Sequence, residues 1–286
     1  MMMRTMRRPT RALVGALLLV LLATAAPLAA PSGAGAATTG LASGTTVVVM
    51  GGLGSKATDY GNIQSFLTGK GYTVKVYGAP HEGYQWDKVN NRYVLDASGG
   101  KIPERIGPMT VDFTDWVTKN VGTTSIALVA HSAGGLIARN YVKTVDGGSR
   151  VTKVIMAGVA NYGTLFASAD SDYAIGSTFL AGLNAGDVSV GRVGYWSLTT
   201  TVDNIVFPFE NQQLPRTGGT NTITLSYPYQ KHTIPGTLPD AQVTNLIVQD
   251  QCPWSLVQHI GMTSSASVQA AIDQALRGIR TITIPC

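Results

Sequence analysis

The chain has 286 residues, which is enough for one large domain with a substantial hydrophobic core. Only 13% of the residues are charged and 44% are hydrophobic, a composition that argues against an intrinsically disordered chain. The net charge of +5 comes mainly from four arginines within residues 1–36, and the remainder carries 17 basic and 16 acidic residues. This near-neutral balance gives no basis for a nucleic-acid partner.

The N-terminus has the pattern of a secretory signal peptide. A group of arginines precedes Ala12–Leu22, an unbroken apolar run that is too short to span a bilayer comfortably. Small residues follow, and Ala34-Gly35-Ala36 fits a cleavage site, so we expect residues 1–36 to be removed during secretion. The Arg7-Arg8 pair leaves twin-arginine export open, and an uncleaved N-terminal anchor is a second alternative.

Two cysteines, Cys252 and Cys286, lie in the part of the chain that would be exported. An oxidising compartment favours a disulfide between them, which would tie the C-terminal tail to the domain. The alternative is a pair of free, buried thiols. No other long apolar run follows Leu22, so we expect no membrane span after it. We expect a flexible linker at 37–44 and a single domain at 45–286.

Short β-rich runs alternate with stretches of helical periodicity along this domain. The predicted strands are 45–50, 72–77, 125–130, 151–159, 195–202 and 243–249. The predicted helices are 61–70, 111–120, 136–144 and 267–276. The alternation predicts an α/β fold with a mostly parallel central sheet and helices on both faces. Two irregular segments, Pro80–Pro108 and Thr164–Gly194, are either functional loops or solvated surface.

The most informative motif is Ala130-His131-Ser132-Ala133-Gly134, which follows an apolar strand and opens a helix. This is the context of a nucleophile elbow, in which a strained strand-to-helix turn exposes a serine hydroxyl. Small residues two before and two after Ser132 would let the strand and the helix pass closely. The helix N-terminus would add N–H donors and positive potential. An ordinary tight turn is the alternative.

A serine nucleophile needs a histidine base, which in such a fold comes later in the chain. His81 precedes Ser132, and we expect the adjacent His131 to support the turn. His259 follows a predicted strand through a short loop, where a general base belongs. His232 lies in a proline-flanked segment and is the weaker choice. We therefore expect His259 to be the base.

The histidine in turn needs an acid that fixes its tautomer. Asp203 ends the predicted strand 195–202, at the sheet edge where the site belongs, and is our choice. Asp250 ends the next strand and is the alternative. Surface roles are expected for the other candidate carboxylates, Asp146, Asp170, Asp172, Asp187, Asp240 and Glu210.

An acyl-transfer site also needs donors for a developing oxyanion. The backbone N–H of Ala133 is the first, and the glycine-rich turn Met50–Ser55 offers the second, for which we select Leu53. The chain contains no G-x-x-x-x-G-K-[ST], G-x-G-x-x-G, H-E-x-x-H or paired-cysteine motif. We therefore expect neither a cofactor nor a metal.

Taken in order, these blocks resemble the small secreted bacterial triacylglycerol lipases of the class 2 lipase group, which are α/β-hydrolases. The similar blocks are Thr46–Gly54, Ile63–Leu67, Val129–Gly135, Asn140–Lys143, Asp146–Gly148, Ala157–Asn161, Asp203–Val206 and His259–Gly261. The resemblance implies a compact α/β-hydrolase domain with a catalytic triad and two oxyanion donors. The implied triad is Ser132, Asp203 and His259, and the implied donors are Leu53 and Ala133.

The chain departs from that family in two places. The family's oxyanion loop usually reads His-Gly, whereas this chain has Gly51-Gly52, so an imidazole that would support the loop is missing. The regions Thr164–Gly194 and Phe207–Pro239 are longer than in the most compact members. The first departure bears on the support of the loop and on the rate, although the donor itself is a backbone group. The second bears on the acyl-chain preference and on any lid.

We therefore expect a secreted, monomeric serine ester hydrolase, most specifically a triacylglycerol lipase that meets ester or lipid substrates at a lipid–water interface. A short-chain carboxylesterase, an extracellular polyester depolymerase and an acyltransferase are the enzymatic alternatives. A catalytically silent hydrolase-fold binding protein is the alternative from a different class.

Overall fold

The computed structural model describes residues 40–79, 84–87, 92–95, 105–186, 189–214, 222–224, 231–233 and 242–286. Four of these stretches, 84–87, 92–95, 222–224 and 231–233, are described by their backbone alone. The expected signal peptide and the first part of the expected linker lie outside the described residues. No helix in the described ranges is long and apolar enough to cross a membrane.

The described chain alternates strands with helices, as the sequence pattern predicts. The strands are β1 (Thr46–Met50), β2 (Thr73–Tyr77), β3 (Tyr84–Asp87), β4 (Arg92–Leu95), β5 (Ile126–His131), β6 (Val151–Ala157), β7 (Gly194–Thr199), β8 (Thr222–Thr224), β9 (Lys231–Thr233) and β10 (Val243–Ile247). The α-helices are α1 (Gly61–Gly69), α2 (Ile106–Asn120), α3 (Ala133–Tyr141), α4 (Thr178–Leu183), α5 (Val248–Gln251) and α6 (Ala266–Leu276). Short 3-10 turns lie at Ala57–Tyr60, Phe209–Gln212 and His259–Thr263, and a π-helical turn extends α3 over Val142–Asp146.

Six strands form one sheet in the order β10-β7-β6-β5-β1-β2. Every pairing within this sheet is parallel. The pairs β3-β4 and β8-β9 are separate antiparallel ribbons. Parallel neighbours require crossover connections, which the helices between the strands supply. The topology confirms the predicted α/β fold.

Both faces of the sheet are covered by helices, as predicted. Val48 and Met50 of β1 pack in one hydrophobic cluster with residues of α2 and α3. Val47 and Val49 pack in a second cluster with residues of α1 and α6. This alternation follows from the strand, in which successive side chains point to opposite faces. All residues of β1 are buried in consequence.

Two helices begin three or more residues earlier than the sequence pattern predicts. Helix α2 begins at Ile106 rather than at 111, because a carboxylate oxygen of Asp172 accepts a hydrogen bond from the N–H of Ile106 at 2.7 Å. This acid lies 66 residues away along the chain, so local periodicity could not reveal it. Helix α3 begins at Ala133 rather than at 136. Hydrophobic periodicity could not predict its first turn, because that turn consists of alanine and glycine.

The two segments predicted to be irregular contain short elements. Pro80–Pro108 includes β3, β4 and the first residues of α2, and Thr164–Gly194 includes α4. The side chain of Ser177 caps α4 by accepting a hydrogen bond from the N–H of Leu180 at 3.1 Å. Elements of four to six residues are too short to establish a hydrophobic period in the sequence.

The C-terminal tail is fixed to the domain at several points. A disulfide joins Cys252, which follows α5, to Cys286. The side-chain amide of Gln251 donates to the carbonyl of Ile282 at 2.8 Å and accepts from the N–H of Ile284 at 2.9 Å. Both isoleucines are buried in the cluster that contains α6. The tail therefore forms part of the hydrophobic core.

We expect Cys286→Ser to lower the free energy of unfolding by about 3–4 kcal/mol. Without the disulfide, the unfolded chain regains the conformational entropy that is lost when cysteines 34 positions apart are joined. The side chain of Cys286 is exposed, so little packing is lost with the substitution. Urea unfolding with and without a reductant measures the effect. Reductant should destabilise the native chain and leave the variant unchanged, and equal stability of the two proteins would contradict the expectation.

Candidate active site

Three side chains from distant parts of the chain meet at one edge of the sheet. Ser132 directly follows β5, Asp203 follows β7, and His259 follows β10 and α5. Because these strands are parallel, their carboxyl ends lie at the same edge. That edge is where open α/β sheets place their ligands.

The three side chains are joined in one hydrogen-bonded chain. Nε2 of His259 lies 2.9 Å from Oγ of Ser132. Nδ1 of the same imidazole lies 2.9 Å from Oδ2 of Asp203. In such a chain the imidazole can take the hydroxyl proton while the carboxylate fixes its tautomer. The structure thus brings together the serine, histidine and acid selected from the sequence.

The backbone of Ser132 is held in an unusual conformation. Its φ is 53° and its ψ is −131°. Among the described residues it is the single non-glycine residue with a positive φ, a state that costs about 1–3 kcal/mol. Its N–H donates to the carbonyl of Ala157 at 3.0 Å, and its carbonyl accepts from the N–H of Gly135 at 3.0 Å. These contacts from β6 and α3 hold the turn.

Two glycines make room for this turn. A Cβ atom on Gly134 would lie 2.5 Å from the carbonyl oxygen of Gly51, so α3 could not approach the end of β1. A Cβ atom on Gly52 would lie 2.9 Å from Cβ of Ser132. The close passage that the sequence motif predicts is therefore observed. It also extends to the loop after β1.

Every oxygen of the Asp203 carboxylate accepts hydrogen bonds. Oδ1 accepts from the N–H groups of Ile205 at 2.8 Å and Val206 at 2.7 Å. Oδ2 accepts from Nε2 of Gln212 at 3.0 Å, in addition to the imidazole. Gln212 is fully buried and ends a 3-10 turn inside a segment without sequence periodicity. Sequence reasoning did not select it, and no motif marks it.

The other titratable candidates occupy different positions. Asp146 accepts hydrogen bonds from the backbone N–H groups of Arg150 and Val151. Asp172 caps α2, and Asp250 is exposed on α5. Four of the candidates, His81, His232, Asp187 and Asp240, have no described side chain. Within the described part of the chain, no group of three or more His, Cys, Asp or Glu residues could hold a metal ion.

The two backbone donors selected from the sequence lie beside the serine. Ala133 is the first residue of α3, so its N–H has no acceptor within the helix. Leu53 lines the same cavity as Ser132 and Ala133. The turn that carries Leu53 is fixed by the N–H of Gly51, which donates to the carbonyl of Tyr77 at 2.8 Å.

A cavity of about 160 Å³ opens beside the serine hydroxyl. Its walls are mainly apolar and include Leu53, Ala160, Phe166, Ala167, Tyr173, Ile205 and Val206. Phe166 is 68% exposed at this cavity. On the segment that leads to and follows His259, Trp254 is 91% exposed, Leu256 82% and Ile260 75%.

His131, which the sequence suggested as a support for the turn, is buried and contacts two other segments. Its Nδ1 lies 2.9 Å from the hydroxyl of Tyr60, and that hydroxyl accepts a hydrogen bond from the N–H of Gly52 at 2.7 Å. Its Nε2 lies 2.9 Å from the carbonyl oxygen of His259. Burial, and to a smaller extent the neighbouring imidazole, lower the pKa of His131 to about 4. No sequence motif marks Tyr60.

The strain at Ser132 can be measured by comparing Ser132→Gly with Ser132→Ala. Both variants lose the hydroxyl, but only glycine adopts a positive φ without a Cβ penalty. We expect the glycine variant to be more stable by about 1 kcal/mol in urea unfolding. A glycine variant no more stable than the alanine variant would show that the turn is unstrained.

Stability should also depend on the protonation of His131. Its pKa is about 4 in the folded protein, whereas the ordinary value of 6.5 applies to the unfolded chain. At a pH between these two values, the imidazole of the unfolded chain binds a proton and the native imidazole does not. Stability should therefore fall as the pH drops from about 6.5 to about 4, by roughly 3 kcal/mol. Urea unfolding across this range should show a smaller pH dependence for His131→Phe. Identical pH dependence in the two proteins would contradict this.

Comparison with known proteins supports the fold. No protein-family model matches the chain. Lipase B of Aspergillus fumigatus is similar with a TM-score of 0.54 and 15% identity, over 81% of this chain and 52% of that one. A gene product of Listeria innocua has a TM-score of 0.48 and 9% identity, over 80% and 92% of the two chains. The chain spans about half the length of lipase B. With the sheet order above, the likeness to lipase B shows an α/β-hydrolase fold.

Proposed function

We propose that the protein is a secreted serine ester hydrolase, and specifically a triacylglycerol lipase. The observation that carries the proposal is the hydrogen-bonded chain from Ser132 through His259 to Asp203, with 2.9 Å at each step. An ordinary tight turn would need neither a serine at φ 53° nor a buried imidazole directed at its hydroxyl.

Each of the three side chains has a role in acylation. Oγ of Ser132 attacks the ester carbonyl while Nε2 of His259 takes the hydroxyl proton. The imidazolium then returns this proton to the leaving alcohol, and the acyl group remains on the serine. Asp203 keeps the other imidazole proton on Nδ1 and stabilises the positive charge. Water releases the acid by the same steps in reverse, so the chemistry requires no cofactor.

The tetrahedral intermediate needs donors for its oxyanion. We assign this role to the backbone N–H groups of Ala133 and Leu53. The N–H of Ala133 points from the positive end of α3, a helix of 9 residues. Because both donors are backbone groups, the Gly51-Gly52 sequence does not remove either of them.

The surroundings of the serine support a water-insoluble substrate. The cavity wall is mainly apolar, and Phe166 extends from it into solvent. Trp254 and Leu256 are exposed on the segment that precedes His259. Aromatic and aliphatic side chains of this kind gain free energy when they leave water for a lipid phase. We therefore place the substrate at a lipid–water interface.

Two features support secretion. Residues 1–36 have the sequence of a signal peptide. The bond between Cys252 and Cys286 requires an oxidising compartment to persist.

A short-chain carboxylesterase is the second candidate. Its support is the cavity volume of about 160 Å³, which lies below the range of about 300–1,000 Å³ that is typical of ligand pockets. A cavity of this size favours a short acyl group. The two candidates differ in the acyl length that the site accepts.

We expect the protein to hydrolyse p-nitrophenyl esters from acetate to palmitate, because the apolar cavity accepts the first part of the acyl chain and the exposed Phe166 offers apolar surface to the remainder. Ser132→Ala should lower kcat/KM by about 10⁴-fold or more, since it removes the nucleophile. Steady-state rates over the ester series measure both effects. Ser65→Ala, which changes an exposed serine on α1, is the matched control and should keep full activity.

Each outcome of this experiment has a distinct meaning. Hydrolysis confined to acetate and butyrate would identify the carboxylesterase instead of the lipase. Retained activity in Ser132→Ala would reject the serine mechanism. A folded protein without activity on any ester would reject the proposed function and favour a silent binding protein.

A further inference from the structure

We propose that Tyr60 and His131 act as positioning residues, which hold the oxyanion loop and the catalytic histidine in a fixed relation to the nucleophile. We call the hydrogen-bonded chain from Gly52 through Tyr60 and His131 to the backbone of His259 the Tyr60–His131 bridge. The proposal rests on the proposed ester hydrolase function and adds two residues to its site.

The direction of each hydrogen bond in the bridge follows from the chemistry of the groups. The N–H of Gly52 can only donate, so the hydroxyl oxygen of Tyr60 accepts at 2.7 Å. The single hydroxyl proton then points to Nδ1 of His131 at 2.9 Å. Nε2 of His131 carries the ring proton and donates to the carbonyl oxygen of His259 at 2.9 Å. Only this tautomer satisfies all three contacts.

The bridge connects the parts of the site that must stay in register. Gly52 precedes Leu53, to which we assign an oxyanion donor, and His131 precedes the nucleophile. The contacts join residues that are 71 and 128 positions apart along the chain. Tyr60, His131 and His259 are all at most 5% exposed, so water does not compete for these hydrogen bonds.

The bridge also controls charge near the base. The ring centroids of His131 and His259 are 4.7 Å apart. A cation on the first ring would oppose the imidazolium that forms on the second during catalysis. The groups that face His131 are Tyr60, His259 and Asp203. Burial lowers the pKa of His131 by more than the carboxylate of Asp203 raises it. A neutral acceptor at Nδ1 is thus maintained.

The bridge supplies support to the loop at Gly51-Gly52, where the imidazole that is usual in the similar lipases is missing. The hydroxyl of Tyr60 lies against the N–H of Gly52 and supports the loop from the 3-10 turn that precedes α1. A Cβ atom on Gly52 would lie 2.9 Å from Cβ of Ser132, so the loop passes close to the nucleophile. Small movements of the loop would therefore change the oxyanion site directly.

The test compares Tyr60→Phe with Tyr72→Phe, which is the matched control. The hydroxyl of Tyr72 donates to Asp273 at 2.8 Å on helix α6, so the control also removes one partly buried hydroxyl hydrogen bond. We expect Tyr60→Phe to lower kcat by about 10-fold to 100-fold, with KM within twofold of the native value. Affinity for an alkyl boronic acid, which forms a tetrahedral adduct, should fall by a similar factor. Tyr72→Phe should change none of these quantities.

A role in stability alone predicts a different pattern. Both tyrosine variants would then unfold at lower urea concentration, and Tyr60→Phe would keep native kcat and boronic acid affinity. That result would overturn the proposal. Activity of the native protein is measured first, so that its absence counts against the proposed function rather than against the bridge.

A measurement on the native protein covers the case in which Tyr60→Phe does not fold. The ¹⁵N chemical shifts of His131 report which ring nitrogen carries the proton. The proposal requires protonated Nε2 and unprotonated Nδ1 at pH 7. The opposite tautomer, or a charged ring at that pH, would overturn it.

Discussion

The backbone of Ser132 is held at φ 53° and ψ −131°, and the rest of the site depends on how this conformation is maintained. The strain is balanced by hydrogen bonds with two elements, β6 through Ala157 and α3 through Gly135. The loop after β1 passes close to the serine at Gly52. Each of the three needs the parallel sheet to bring it to the same edge. Glycine at 52 and 134 is required because any side chain there would separate these elements. The fold thus presents a half-buried hydroxyl to the cavity.

Around this hydroxyl, the polar groups are arranged before any substrate arrives. Both oxygens of Asp203 already accept hydrogen bonds, so the carboxylate does not need to reorient when its imidazole partner becomes charged. Gln212 holds the oxygen that faces His259, and His131 holds the backbone of the same histidine. Proton transfer in such a site requires little rearrangement. In the proposed reaction, the acyl group occupies the apolar cavity beside these polar contacts.

Much of this architecture could be predicted from the sequence, because it depends on local patterns. Strand–helix alternation gave the parallel sheet, and the position of Asp203 after a strand placed it at the correct edge. Tyr60 could not be found in this way, since it reaches His131 from 71 residues away along the chain. Gln212 is only nine residues from Asp203, but it lies in a 3-10 turn without sequence periodicity, so no local pattern marks it. Separation along the chain also explains the early start of α2, which Asp172 caps from another segment. Side-chain capping and buried polar contacts are properties of the folded chain and leave no period in the sequence.

The most direct test of the account is to treat the protein with a fluorophosphonate probe and to locate the adduct by peptide mass spectrometry. We expect one adduct per chain on Ser132, at a rate that falls sharply when Asp203 is replaced by Asn, because the base loses its orienting acid. Labelling of another serine, or no labelling of the folded protein, would contradict the claim that this hydroxyl is an activated nucleophile.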